Sequence, residues 1–217
     1  MDIKNKTIVF IGDSITDMNR EKVNFWDQNH LYGHSFVFLL ASGFGYEFPA
    51  GGIKIYNRGI SGNKSRDLVD RWQSDVLDLK PDIVNILVGI NDIILSVHEN
   101  KPFSLEEYEK NLSEMVEKTY ESAPETQIIL CEPFAFPEAA AKEYYDAFKT
   151  SVPLLRDSCH RIAKKYGCLF VPLQEVFDKA YAQNPQCGYS HWIWDGIHPT
   201  AAGHRIIEAQ WKRRLLS

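Results

Sequence analysis

The 217-residue sequence predicts a three-layer α/β/α sandwich on a five-stranded parallel sheet, and three observations carry that expectation. Five short β-rich apolar runs recur along the chain, and helix-like stretches alternate with them. Three of the runs are almost continuously apolar, as strands covered on both faces of a parallel sheet must be. Strand alternating with helix implies right-handed βαβ crossovers, for which the sheet order 2-1-3-4-5 is expected.

The elements follow in order. The first run, residues 7–11, gives way at Gly12 to a polar turn, and residues 35–43 fit a helix ending at glycine. Residues 53–56 read as the second strand and 64–72 as a helix with spaced apolar positions. The third strand, 83–88, precedes Gly89-Ile90-Asn91-Asp92, where turn chemistry is one of two readings. Ser104 and Glu107 form a capping box at the head of a helix over 104–120. After the fourth strand, 127–131, comes a long helical pattern over 139–166, interrupted or kinked at Pro153. Residues 168–171 are the fifth strand, and helices over 175–182 and 201–215 complete the set. In the last of these, Thr200 is placed to cap, Ile206, Ile207 and Trp211 share a buried face, and Lys212-Arg213-Arg214 complement the helix dipole. Residues 43–52 and 184–194 are loop-like. With no repeat and no linker, residues 1–217 are expected to be one domain.

Composition narrows the partners. A net charge of −5 and no extended basic face argue against nucleic acid. The apolar run at 8–11 is too short for a signal-peptide core or a membrane span, so a cytoplasmic protein with no membrane partner is expected. Cys131, Cys159, Cys168 and Cys187 lack paired spacing and read as reduced thiols. His191, His198, His204 and Asp195 match no strong zinc spacing, and neither a metal nor an organic cofactor is expected.

The chemistry-bearing residues lie just after predicted strands or just before the last helix. Ser14 follows strand one, the block 59–63 follows strand two, and Asn91 follows strand three. In an open parallel sheet these carboxyl ends share one rim, where ligands bind. Ser14 is the candidate nucleophile, since Gly12 permits a tight exit from the strand and leaves the hydroxyl beside free N–H groups. Asp195 and His198, in Asp195-Gly196-Ile197-His198-Pro199, supply a base and a carboxylate to orient it. The N–H groups of Ser14 and Gly62 and the Asn91 amide are candidate oxyanion donors. Each has a plainer explanation when taken alone. Ser14 is equally a helix cap, Asp195 a capping carboxylate beside a surface histidine, Asn91 a turn residue and Gly62 a conformational glycine.

Together the blocks resemble the SGNH hydrolase superfamily, also called GDSL esterases. Residues 10–17 match its first block, 57–63 the second, 89–92 the third and 195–198 the last, in family order across nearly the whole chain. Ile15 stands where the GDSL name has leucine, and the Gly-x-Ser-x-Gly elbow of α/β-hydrolases is absent. The resemblance implies a flavodoxin-like fold, a Ser14–His198–Asp195 triad, and an oxyanion hole of Ser14, Gly62 and Asn91. Ile60-Ser61-Gly62-Asn63, the spacing to Arg71-Trp72, and residues 194–199 resemble intracellular bacterial acetylxylan esterases. That implies a small acetylated carbohydrate as substrate and permits a homo-oligomer. Asp17, Arg58, Tyr189, Trp192 and Trp194 are then candidate substrate contacts, the last three also explicable as loop anchors on the core. Two other functions fit less of the pattern. One is a lysophospholipase or thioesterase of the same superfamily. The other is a non-catalytic flavodoxin-like binding or signalling domain with Asp13, Asp17 and Asp92 as an acidic pocket.

Overall fold

The computed structural model describes residues 1–23 and 28–216. Five parallel strands, β1 (Thr7–Gly12), β2 (Lys54–Gly59), β3 (Ile83–Leu87), β4 (Gln127–Cys131) and β5 (Leu169–Val171), form one sheet in the order β2-β1-β3-β4-β5. The predicted order and all five strands are present. β2 runs three residues beyond its apolar run because Asn57, Arg58 and Gly59 continue to pair with Phe10, Ile11 and Gly12.

Alternating side chains on each strand divide the core between two faces. Val9, Ile11, Val84, Ile86, Ile128 and Leu130 face one helical layer. That layer comprises α3 (Ser65–Asp70), α4 (Trp72–Asp75), α5 (Ile90–His98), α6 (Leu105–Ser122) and α7 (Tyr145–Tyr166). Ile8, Phe10, Ile129, Cys131 and Val171 face the other, made of α2 (Phe36–Glu47), α8 (Gln174–Gln183) and α9 (Ala201–Leu216). Trp211 is fully buried against Phe10 and Phe44, and its indole N–H donates to Asn85 Oδ1 at 2.9 Å, which accounts for an asparagine in the central strand. Burial of each such large side chain contributes about 1.5–3 kcal/mol.

The differences from expectation have local causes. α2 passes through Gly43 and Gly45, held by the apolar face of Phe36, Val37, Leu40 and Phe44. The segment after β3 is a turn only at Gly89, whose φ of 139° excludes a side chain, and continues as α5. The pattern over 139–166 resolves into two short 3₁₀ turns, Pro137–Ala139 and Lys142–Tyr144, followed by α7, which Pro153 does not end. The expected helix over 64–72 divides at Arg71 into α3 and α4. Thr200 caps α9 as expected, its hydroxyl accepting from the Gly203 N–H at 3.2 Å. Among the described residues, no helix is long and apolar enough to cross a membrane.

Candidate active site

The site is built at the carboxyl ends of β1, β2 and β3. β1 ends at Gly12, where a Cβ would lie 2.4 Å from the Leu87 carbonyl, so only glycine lets the neighbouring strand approach this closely. Asp13 then caps α1 (Ser14–Asp17), its Oδ1 accepting from the Ile15 N–H at 3.0 Å, and Ser14 opens that single helical turn. Ser14 Oγ lies 2.8 Å from His198 Nε2, across 184 residues of sequence. On the far side of the ring, His198 Nδ1 lies 2.7 Å from Asp195 Oδ2. A carboxylate only accepts, so Nδ1 carries the proton and Nε2 is left to accept from the serine hydroxyl. Asp195 Oδ1 is occupied by the N–H groups of His198 at 2.8 Å and Ile197 at 3.2 Å, which fixes the carboxylate within its own loop.

The electrostatics follow from these contacts. The Asp195 hydrogen bond raises His198 above the ordinary histidine value against the opposing effect of burial, and the charge of nearby Asp13 adds to the rise. Burial works to raise Asp195, but the imidazole and the two backbone N–H groups outweigh it and hold that carboxyl below its usual range. Asp13 is itself buried, which pushes its carboxyl up to about 7 despite the Ile15 N–H and the His198 charge.

The turn from Ile60 to Asn63 forms the opposite wall. The Ile60 N–H donates to the Gly12 carbonyl at 3.1 Å, and the Asn63 N–H returns to the Ile60 carbonyl at 3.1 Å. Gly62 has φ +83° and open space where a Cβ would be. Among the described residues, the N–H groups of Ser14 and Gly62 donate to no protein acceptor, leaving both available to a ligand. Asn91, at the start of α5, spends one amide hydrogen on the Asn63 carbonyl at 3.0 Å, and among the described residues the other has no acceptor.

The remaining candidates separate. Asp17 is buried beneath the turn. It is 1% exposed, and its carboxylate accepts from the Ser61 N–H at 2.9 Å, the Ser61 hydroxyl at 3.0 Å and Lys22 Nζ at 2.9 Å. Burial favours its neutral form, but these donors prevail and lower its pKa, so Asp17 holds the turn from beneath. Arg58 lines a cavity of about 370 Å³ along the outer edge of β2 with Arg20, Ile55 and Tyr56, its guanidinium 5.8 Å from the Tyr56 ring centre. Tyr189 stacks on Tyr181 at 3.9 Å and meets Phe136 at 5.1 Å, and Trp192 packs on the same core cluster, so both anchor their loop. Trp194 differs. It is 58% exposed and stacks over the His198 imidazole at 5.4 Å and 18°.

Sequence reasoning missed the residues that support these groups. Asp92 accepts from the Ser65 N–H at 3.0 Å and the Ser65 hydroxyl at 2.5 Å, and Asn111 donates to that hydroxyl at 3.0 Å, tying α3, α5 and α6 together behind Asn91. Burial pushes the Asp92 carboxyl up to about 6 even with those bonds. Arg71, whose only signal was its spacing from the second block, reaches three of the site's segments. The 132–144 segment, of which 139–144 was read as the start of a helix, instead docks on the Asp195–His198 loop through the Phe136 N–H and Gly196 carbonyl at 2.7 Å.

A parallel α/β/α sandwich with serine, histidine and aspartate joined at its carboxyl rim has the architecture of a serine esterase. Comparison with known proteins gives the family. The profile of the GDSL-like Lipase/Acylhydrolase family matches residues 10–206, and the chain belongs to that family, whose members are carboxylic ester hydrolases. An acetylxylan esterase of Geobacillus stearothermophilus is 32% identical over 213 residues, covering 96% of this chain and 93% of its own. The crystal structure of the acetylxylan esterase from that organism superposes with a TM-score of 0.83 at 32% identity, over 99% of this chain and 96% of the other. A protein assigned as a GDSL-like lipase from Parabacteroides merdae superposes with a TM-score of 0.89 at 34% identity, over 97% and 95% of the two chains.

Proposed function

We propose that this esterase removes acetyl groups from acetylated sugars or xylo-oligosaccharides through an acyl-enzyme on Ser14, with residues 1–217 acting as one catalytic domain. The observation that carries the reading is the Asp195–His198–Ser14 hydrogen-bonded chain beside N–H groups that, among the described residues, have no acceptor. His198 Nε2 takes the hydroxyl proton as Ser14 Oγ bonds to the ester carbonyl carbon, and Asp195 stabilises the resulting imidazolium. The carbonyl oxygen becomes an oxyanion facing the Ser14 and Gly62 N–H groups and the free Asn91 amide hydrogen. Collapse expels the sugar hydroxyl, which takes its proton from His198. Water, deprotonated by His198, then attacks the acetyl-enzyme and releases acetate. The acetyl and sugar assignment is supported by the similarity to acetylxylan esterases. Trp194, exposed beside the imidazole, offers a flat apolar face on which a sugar ring can stack.

Ser14→Ala tests the nucleophile. Its kcat is expected to fall on the order of a million-fold, with loss of labelling by a fluorophosphonate probe. Persistent labelling in the variant overturns the assignment. Acetate release from acetylated xylo-oligosaccharides should exceed cleavage of long-chain p-nitrophenyl esters and lysophospholipids, and a rate that climbs with acyl length overturns the acetyl specificity in favour of a lysophospholipase or thioesterase.

A further inference from the structure

Arg71 lies between α3 and α4 with its side chain only 14% exposed. Its guanidinium makes four hydrogen bonds. Nε donates to Asn63 Oδ1 at 2.8 Å, Nη1 to the Arg58 carbonyl at 2.7 Å and to Asp75 Oδ2 at 2.6 Å, and Nη2 to the Gly12 carbonyl at 3.2 Å. Asp75 balances the charge. The other three acceptors belong to segments that end at the site. Gly12 immediately precedes Asp13 and Ser14, Arg58 lies at the end of β2, and Asn63 closes the turn that carries Gly62.

Two of those acceptors also anchor the candidate donors. The Gly12 carbonyl receives the Ile60 N–H where the turn begins, and Asn63 closes the turn and accepts the Asn91 amide on its own carbonyl. One planar fork therefore grips the turn at both ends and, through Asn63, is linked to Asn91. Lysine has no equivalent, because an ammonium is a single point on a flexible stem, whereas the guanidinium presents its donors in fixed directions.

We propose that Arg71 is the positioning residue of the oxyanion pocket, setting the spacing of the Ser14 N–H, the Gly62 N–H and the Asn91 amide without touching substrate. The proposal rests on the assignment of those three groups as the oxyanion donors. Displacing preorganised donors by a fraction of an ångström weakens binding of the transition state and leaves ground-state binding nearly intact.

The test is Arg71→Lys, which keeps the charge beside Asp75 and loses the fork, assayed on p-nitrophenyl acetate. We expect kcat to fall roughly ten- to a hundred-fold with KM nearly unchanged. Affinity for an alkyl boronic acid, which forms a tetrahedral adduct on Ser14, should fall in parallel. The acid limb of the pH profile should stay in place because Asp195 and His198 are untouched. In Arg71→Ala, guanidinium ion at a non-denaturing concentration should restore part of kcat where methylammonium does not. Full kcat and full boronate affinity in Arg71→Lys overturn the proposal, as does a loss confined to thermal stability. Asn91→Ala in the same assay separates the two levels. If it retains full activity while Ser14→Ala is inactive, the oxyanion assignment fails and the Arg71 role with it. If Asn91→Ala loses about a hundred-fold and Arg71→Lys loses nothing, the Arg71 role alone fails.

Discussion

The two walls of the site are held by different physics. The Ile60-to-Asn63 turn is pinned by polar side chains reaching in from separate elements: Asp17 on Ser61, Arg71 on Asn63, and Asn91 on the Asn63 carbonyl. Asn57 reinforces it from beneath, donating to the Thr16 carbonyl at 2.7 Å while accepting from the Gly59 N–H at 2.9 Å. The Asp195–His198 loop keeps its charges to itself. Among the described residues, Asp195 bonds only within the loop, and the loop is seated by the Phe136–Gly196 bond, by close packing of Gly196 on Ala140, and by an antiparallel bridge between Ile193 and Pro199. Charge substitutions at the first wall should therefore act through donor placement, and those at the second through the histidine's proton affinity.

The largest effect expected from the second wall is that of Asp195→Asn. The amide cannot hold the imidazole in the tautomer that leaves Nε2 free to accept, and in other triads such a change costs on the order of ten-thousand-fold in kcat. It also removes the principal cause of the raised His198 pKa, so the acid limb of kcat/KM should move to lower pH. Measuring residual hydrolysis across pH checks both. A large loss with an unmoved limb would erase the distinction from Arg71→Lys.

Gly196→Ala should act on the same wall by packing alone. Gly196 sits at φ +94°, and a Cβ there would lie 2.7 Å from the Ala140 backbone nitrogen, a contact no side-chain rotation relieves. Left-handed strain of about 1–2 kcal/mol and the displaced loop together should lower kcat by roughly ten- to a hundred-fold. Lengthening of the Ser14–His198 contact in a crystal structure of the variant would mark that cause. Unchanged kcat would show that the 132–144 segment is not what seats the loop.

This division also explains what could be read from sequence. The strands and the Ser14, Asn91, Asp195 and His198 positions were legible because apolar runs locate strand ends, and parallel strands bring those ends to one rim. Asp195 and His198 lie three residues apart, so a single loop brings them together. The supporting contacts had no such local signal. Arg71 meets Gly12 across 59 residues and Ser65 meets Asp92 across 27. The contact of Asp17 with Ser61 across 44 residues had no local signal either, and only the three-dimensional turn shows it. The helix after β3 also went unassigned, because Gly-Ile-Asn-Asp suits a turn as well, whereas packing of Ile90 and Ile93 on the core makes a helix.

The smallest effect, and the one that reaches across both walls, belongs to Asp13. Its carboxylate caps α1 at the nucleophile and lends charge to His198, yet burial holds its proton until about pH 7. Asparagine retains a capping oxygen for the Ile15 N–H and removes the charge. Asp13→Asn should therefore shift the acid limb of kcat/KM to lower pH while kcat at neutral pH changes only a few-fold. The stability effect has a definite sign. The unfolded chain releases this proton near 3.8 and the folded protein near 7, so the folded state binds more protons between them and loses stability as pH rises through that window. At about 1.4 kcal/mol per pKa unit, the cost of the buried charge above pH 7 is on the order of 4 kcal/mol. Asp13→Asn escapes that cost, and thermal unfolding should show it gaining on the parent protein from pH 5 to pH 8. An equal difference at the two pH values would mean that Asp13 is already ionised at pH 5, and the acid limb should then report its full charge on His198 throughout.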